Sequence, residues 1–541
     1  MKIKILIITT FALLISIRFL RPGYYSMQDD MHIFRLQQFS QCIKDGQIPC
    51  RLIADGGFGY GYPLFNFYPP FFYILSWLPH QFGFSFINSI KISLLLLNFT
   101  GILGIYLLSN KLFRNKNSAI LSACLYAFIP YRAIDLYVRG AFAELSAISL
   151  LPISIYFYIS FIEKCTKKYF LLTTFSILCL FLSHNLITLL SIPIFIFFIL
   201  WPKFNLKVKN FIPLFLSLLL SSFFVIPALL EKQFTTIETM TQGYFDYKAH
   251  FTTLKQLFLD RSWGYGASLW GPVDDMSFQI GLPHWPLMIL AIILYIRSKK
   301  INKSNTYLIL FLTFLSLFSI FMTHNKSTFL WTFLPFLSFF QFPWRFLSII
   351  SFSLPLLTSS LIVHIKARLQ SLITIFIIIL TIFLNINYFK EDIYFPKLTD
   401  NDRFTKAEVI RQSGAGLKDY WPNFGQEFPN SFSTNIPTFQ NTDTHITNYH
   451  KQSNLVYTSV NIQNCSDSIT LPLVYFPGWQ LYIDNMPSEI IIEPNLGLIQ
   501  TPELKTGTHK IEARLKSTSV QKLSNILSLT GVFIFILVII I

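Results

Sequence analysis

Apolar runs separated by short polar loops fill most of the chain from residue 3 to residue 389. Many approach the roughly 17 to 25 residues that carry a helix across a bilayer. Helical spans are predicted near 3–20, 86–108, 117–131, 143–162, 169–183, 186–201, 211–230, 285–297, 307–322, 346–364 and 371–389, with a last one from about 523 to the end. That makes about twelve spans, several near the lower length limit and therefore short or broken. The stretch 71–82 is apolar but interrupted by Pro79 and His80, which predicts an interfacial or re-entrant segment.

Two regions break this pattern. Residues 21–70 follow the first span and close with a Gly- and Pro-rich aromatic run, Tyr60 to Pro70, that predicts no helix. Residues 390–520 are polar, and short alternating runs at 454–462, 469–484 and 509–516 read as strands. Turn residues at Pro477-Gly478, Asp484-Asn485 and Thr506-Gly507 punctuate them. They predict a small antiparallel β-sandwich at about 450–518, preceded by an irregular segment from about 390. The fold class expected is an α-helical polytopic membrane protein. It divides into a transmembrane domain over 1–389, an extracytoplasmic domain over 390–520 and a final transmembrane helix over 521–541.

Composition agrees: 52% of the 541 residues are hydrophobic and 13% charged, against about 25% charged in a typical soluble protein. The net charge of +16 changes meaning once it is mapped. The N-terminus and five short loops, near 111–116, 164–168, 203–209, 297–303 and 366–368, hold 17 basic residues and one acid, Glu163. Elsewhere basic and acidic residues balance. The excess is a topology signal that puts those loops and the N-terminus in the cytoplasm, not a nucleic-acid patch. Lys2 and Lys4 before the first apolar run resemble an uncleaved signal anchor. The expected location is the cytoplasmic membrane of a prokaryote. Six cysteines make no disulfide scaffold; Cys42 and Cys50 share the first outer loop, but their spacing alone fixes no bridge.

Candidate chemistry gathers on the outer side. Asp29 and Asp30 stand at the mouth of a span, followed by His32 and Arg35. An acid there is unfavourable unless water, a cation or a substrate compensates it. It serves as a general base, and a pair can hold a divalent cation, the one cofactor the sequence suggests. A helix over 30–45 would set His32, Arg35 and Phe39 on neighbouring turns. In the aromatic run, Asn66 and faces such as Tyr68 either line a sugar site or anchor the interface. A second cluster holds Arg132, Asp135, Arg139 and Glu144, of which Arg139 and Glu144 could simply pair. His184 sits at an outer turn, and Arg345 opens a span after Pro343, where it can grip a lipid phosphate or snorkel to headgroups. Nucleotide-loop, dinucleotide, HExxH and CxxC patterns are absent, which argues against ATP-driven transport, redox chemistry and zinc proteolysis by those motifs.

Several strings carry a resemblance: KDGQIPCR at 44–51, GFGYGYPLFNFYPP at 57–70, RGAFAE at 139–144, LSHN at 182–185 and QFPWRF at 341–346. With the acid pair and Arg35, they are similar to a family of bacterial multispanning membrane proteins named as 6-pyruvoyl-tetrahydropterin synthase-related. YFPGWQLYID at 475–484 resembles the C-terminal domain of YfhO-type membrane proteins. The resemblance implies a GT-C-like glycosyltransferase with a lipid-linked sugar donor and a catalytic Asp in the first external loop, here Asp29 or Asp30.

The expected function is therefore transfer of a sugar from a polyprenyl-phosphate donor to an extracytoplasmic polysaccharide or protein acceptor. Asp29 or Asp30 would deprotonate the acceptor hydroxyl or hold a metal that does so, Glu144 in the same catalytic group would orient sugar or acceptor, and Arg132, Arg139, Arg345 and, behind them, His184 would meet the phosphate. A carrier or flippase for lipid-linked glycans would place ionisable groups deep in the helices and show a repeat between halves. A non-catalytic envelope scaffold would depend on the outer domain alone.

Overall fold

A computed structural model of the protein describes residues 2–201, 207–271, 273–297, 303–440 and 443–540. Lys203, Lys299 and Lys300 of the basic loops lie outside the described residues. Every one of the predicted span segments is helical, but not all are long enough to cross. Among the described residues, seven helices have the length and apolarity of a span, or eight if the bent pair Lys116–Ala127 and Pro130–Val138 counts as one. The difference from twelve is a matter of length. His284–Arg297 has 14 residues, Lys2–Ser16 and Lys167–Phe181 have 15 and Asn185–Leu200 has 16. At 1.5 Å per residue such helices reach about 21 to 24 Å, short of a hydrocarbon core of about 30 Å.

The centre of the bundle is formed by Phe142–Lys164 and Leu347–Ser359, whose spans are 89% and 94% buried, while Ser519–Ile540 is only 17% buried and presents its apolar side outward. Small residues set the closest approach. A Cβ on Gly104 would lie 2.7 Å from the backbone nitrogen of Ile153, so Phe86–Phe113 can touch Phe142–Lys164 only with glycine there. At one end of the bundle Lys111 pairs with Glu163 at 2.6 Å and Asn115 reaches Gln370 at 2.9 Å, which brings together three of the basic loops, those near 111–116, 164–168 and 366–368.

The other end carries the first loop and the polar tail, and the two are interlocked. Tyr24–Tyr25 pairs antiparallel with Tyr394–Phe395. The Asp400 carboxylate accepts from the free backbone N–H groups of Phe86 and Ile87 at 2.7 and 3.0 Å, capping a helix of the bundle. Within the first loop, His32–Lys44 is helical and buries His32, Arg35 and Phe39, and Cys42 and Cys50 are disulfide-bonded. The aromatic run, predicted to hold no helix, contains one helical turn, Leu64–Phe67, between its glycines and Pro69-Pro70. The apolar stretch after it is an 11-residue helix, Phe71–Gln81, too short to cross.

The tail folds into two antiparallel sheets. In the five-stranded one, Thr444–Lys451, Leu455–Ile462, Gly507–Leu515, Trp479–Ile483 and Met486–Ser488 lie side by side in that order. In the three-stranded one, Leu498–Gln500 lies between Thr470–Val474 and Ile491–Ile492. Val456, Val460, Leu471, Leu481, Ile499 and Ile511 from both sheets share one apolar core, which the first loop joins through Leu52 and Phe67. The segment before the sheets is short helices and turns, Asp400–Arg403, Lys406–Ser413 and Leu417–Tyr420.

Candidate functional site

The site begins with a turn. A π-helical turn, Ile134–Val138, interrupts the chain before the central helix Phe142–Lys164, and Gly140 follows with φ 68°. A Cβ on Gly140 would fall 2.5 Å from the sulfur of Met27, so the first loop can lie against this turn only because no side chain is there. Backbone bonds then register the loop: Gln28 N–H donates to Val138 O at 2.9 Å and Asp29 N–H to Arg139 O at 2.8 Å. His32 locks the arrangement, with Nε2 donating to Gly140 O at 2.6 Å and Nδ1 accepting from Tyr73 Oη at 3.0 Å. Burial lowers this imidazole to about 3, with the Arg35 charge adding to the effect, so it is neutral.

The widened turn puts Arg139 beside two acids. Its Nη1 lies 2.6 Å from Asp135 Oδ1 and 2.9 Å from Glu144 Oε2, and its guanidinium lies 4.7 Å above the Trp344 ring. Glu144 Oε1 also accepts from Tyr131 Oη at 2.6 Å. Arg345, at the start of another buried span, donates to Phe340 O at 2.8 Å and Gln341 Oε1 at 2.9 Å. Its Nε approaches Glu144 at 3.6 Å and is buried without a hydrogen-bond partner.

These groups open on a cavity of about 600 Å³, lined also by Arg35, Tyr68, His184, Tyr244, Gln341, Asp419 and Tyr420. The size suits a small organic ligand. Arg35 lies 4.8 Å from the centre of the Tyr68 ring. The Asp29 side chain faces the cavity and has no hydrogen-bond or ion-pair partner among the described residues. Burial raises its pKa from the ordinary carboxylate range, and Arg139, Arg35 and Arg345 work against that rise. His184 is held down to about 4 by burial and is neutral.

The structure thus gathers Asp29, Arg35, Tyr68, Arg139, Glu144, His184 and Arg345 around one space. It takes four other candidates elsewhere. Asp30 turns away from the cavity and pairs with Arg403 at 2.8 Å and Arg411 at 3.2 Å. His32 braces the turn instead of facing the cavity. Asn66 is bonded to Arg51 at 3.0 Å and to Glu231 at 2.8 Å in a separate network. Arg132 is enclosed by Asn98 at 2.8 Å and the Tyr126 ring at 4.3 Å. Glu144, expected to orient substrate, has both oxygens engaged by Tyr131 and Arg139. With Asp29 and Asp30 facing apart, the pair does not offer a joint seat for a divalent cation, and no group of three His, Cys, Asp or Glu with metal-holding geometry occurs among the described residues.

The sequence reading missed Asp419 and Tyr420, because nothing in a polar, irregular segment marks one acid as returning to a distant cavity. It also missed Trp344 and Gln341, neighbours of Arg345 that hold the two arginines in place.

Helices of spanning length and a charged cavity roofed by polar loops define an integral membrane protein. Residues 65–390 match the family described as 6-pyruvoyl-tetrahydropterin synthase related domain, membrane protein, and the chain belongs to that family. The match includes Tyr68, Arg139, Glu144, His184 and Arg345, and it leaves Asp29, Arg35 and Asp419 on either side. No curated protein matches the chain.

Proposed function

We propose that this protein is a GT-C-like glycosyltransferase that moves a sugar from a polyprenyl-phosphate donor to an acceptor hydroxyl at the outer face of the cytoplasmic membrane. The observation that carries the reading is an unpartnered carboxylate, Asp29, facing the same cavity as Arg35, Arg139 and Arg345. Asp29 takes the proton of the acceptor hydroxyl as its oxygen bonds to the anomeric carbon. The bond from that carbon to the phosphate oxygen breaks, and the polyprenyl phosphate leaves with the electron pair. The arginines meet the negative charge it gains; a phosphate leaving group needs fixed positive charge and no proton. The neutral His184, whose Nδ1 accepts from Ile187 N–H at 3.3 Å, is left with its Nε2–H to donate a hydrogen bond beside them.

Glu144 acts as a positioning residue, holding Arg139 and drawing Arg345 toward it. The outer location is supported by the lysine-rich loops at the opposite end and by the Cys42–Cys50 disulfide, which belongs in an oxidising compartment. The acceptor, a polysaccharide or a protein, enters from the side of the tail.

The test is transfer from a lipid-linked sugar by the reconstituted full chain. Asp29→Asn slows transfer by about 10²- to 10⁴-fold, the usual worth of a general base. Asp30→Asn stays within a few fold of the parent, because Asp30 is engaged by Arg403 and Arg411. A wild-type rate in Asp29→Asn overturns the assignment of the base.

A further inference from the structure

The tail contributes an acid, Asp419, to the cavity beside Tyr420, and the proposed transfer reaction does not use it. The turn that carries it is fixed from several directions. Tyr62 Oη donates to Gly416 O at 2.7 Å and accepts from Tyr420 N–H at 2.9 Å. Lys418 O accepts from Thr236 Oγ1 at 2.9 Å and Thr239 Oγ1 at 2.8 Å, and the Tyr420 ring stacks on Phe67 at 5.3 Å. Gly416, at φ 69°, leaves the space: a Cβ there would lie 3.0 Å from Asp419 Oδ2 and 3.5 Å from Arg35 Nη2. The backbone of this turn is thus spoken for, while the Asp419 carboxylate has no hydrogen-bond or ion-pair partner among the described residues.

We propose that Asp419 is a sugar-binding residue, its carboxylate accepting hydrogen bonds from the hydroxyls of a neutral hexose in the cavity. The inference rests on the glycosyltransferase reading and adds a residue to it from outside the transmembrane domain. A largely buried carboxylate without donors is costly, and a polyol supplies donors in pairs at the spacing of its two oxygens. Tyr68 and Tyr420 line the same cavity and add aromatic surface beside the carboxylate. The hexose belongs either to the donor or to the acceptor, and the chemistry at Asp419 is the same for both.

The test uses detergent-purified full chain, ligand-observed NMR and three probes: a methyl hexoside, the corresponding hexose 1-phosphate, and undecaprenyl phosphate without sugar. Asp419→Asn weakens the hexoside, the hexose 1-phosphate or both by roughly 10- to 100-fold, as expected for loss of a charge-assisted hydrogen bond. Loss confined to the hexose 1-phosphate assigns Asp419 to the donor sugar; loss of the free hexoside assigns it to the acceptor. Binding of undecaprenyl phosphate is unchanged in that variant and falls in Arg345→Gln. Equal binding of both sugar probes by Asp419→Asn and the parent, or no sugar binding by the parent, overturns the proposal. Failure of undecaprenyl phosphate to bind the parent sinks the lipid-donor reading instead, and leaves a sugar loss in Asp419→Asn standing.

Discussion

Two of the buried arginine-centred networks among the described residues differ in what is left over. In one, Arg51 donates to Asn66 Oδ1, to Phe223 O and to Asn525 Oδ1, each at 3.0 Å. Glu231 there accepts from Asn66 at 2.8 Å, Gln521 at 2.9 Å and Thr518 at 2.5 Å. None of the side-chain atoms of Arg51, Asn66, Glu231 or Gln521 is buried without a partner. The network joins the first loop, the end of Ile212–Leu230 and the start of Ser519–Ile540. It is a closed clasp. In the other, around Arg139 and Arg345, Asp135 Oδ2 and Arg345 Nε are buried and unmatched, and Asp29 and Asp419 face open space. Both bury arginine and acid together; unspent hydrogen-bonding capacity beside a cavity is what separates a candidate site from a brace.

The strongest way to break this comparison is to damage the clasp. Glu231→Ala takes an acceptor from Asn66, Gln521 and Thr518 and the nearby negative charge from buried Arg51, and is expected to cost about 3 to 5 kcal/mol. It lowers the thermal midpoint of the purified protein sharply, while the transfer rate per folded molecule holds. An unchanged midpoint would show that the clasp braces nothing.

The open network predicts the opposite sign. Burial raises Asp419 to about 6 from 3.8, with Asp29 adding to the rise and Arg35 opposing it. Between those values the folded chain binds the proton more tightly than the unfolded chain. The stabilisation is therefore complete below 3.8 and is lost as pH rises through about 6. At pH near 7.5 the ionised group carries a cost of up to about 3 kcal/mol. Asp419→Asn therefore melts higher than the parent at that pH, and the gap closes as pH falls toward 4. A variant that melts lower at every pH would place Asp419 among the braces. The smallest effect is expected at Asp30, whose pairing with Arg403 and Arg411 is partly solvated. Asp30→Asn should shift stability by at most about 1 kcal/mol, read from the same melting curves.

The same contrast explains how the individual residues read. Asp29 and Asp30 are chemically identical neighbours, and no local rule says which one faces the cavity. The choice is made by Asp29 N–H bonding to Arg139 O and by two arginines of the tail arriving at Asp30. Asn66 sits in an aromatic run that suits a sugar site, and Glu231 claims it. Arg345 could be placed at a boundary from its span, but its approach to Glu144 needed two helices to meet.

By itself the sequence determined a membrane protein, the positions of its apolar helices, the end of the bundle that holds the basic loops, and most of the main strands of the tail. Each of these follows from local quantities, apolar length, alternation and charge, that the chain carries wherever it folds. Tertiary structure decided which helices are long enough to cross, which acid of the pair faces inward, and that a turn some 390 residues after Asp29 closes the same cavity. Those outcomes depend on which side chains use up one another's donors and acceptors, and that is settled only when distant segments pack.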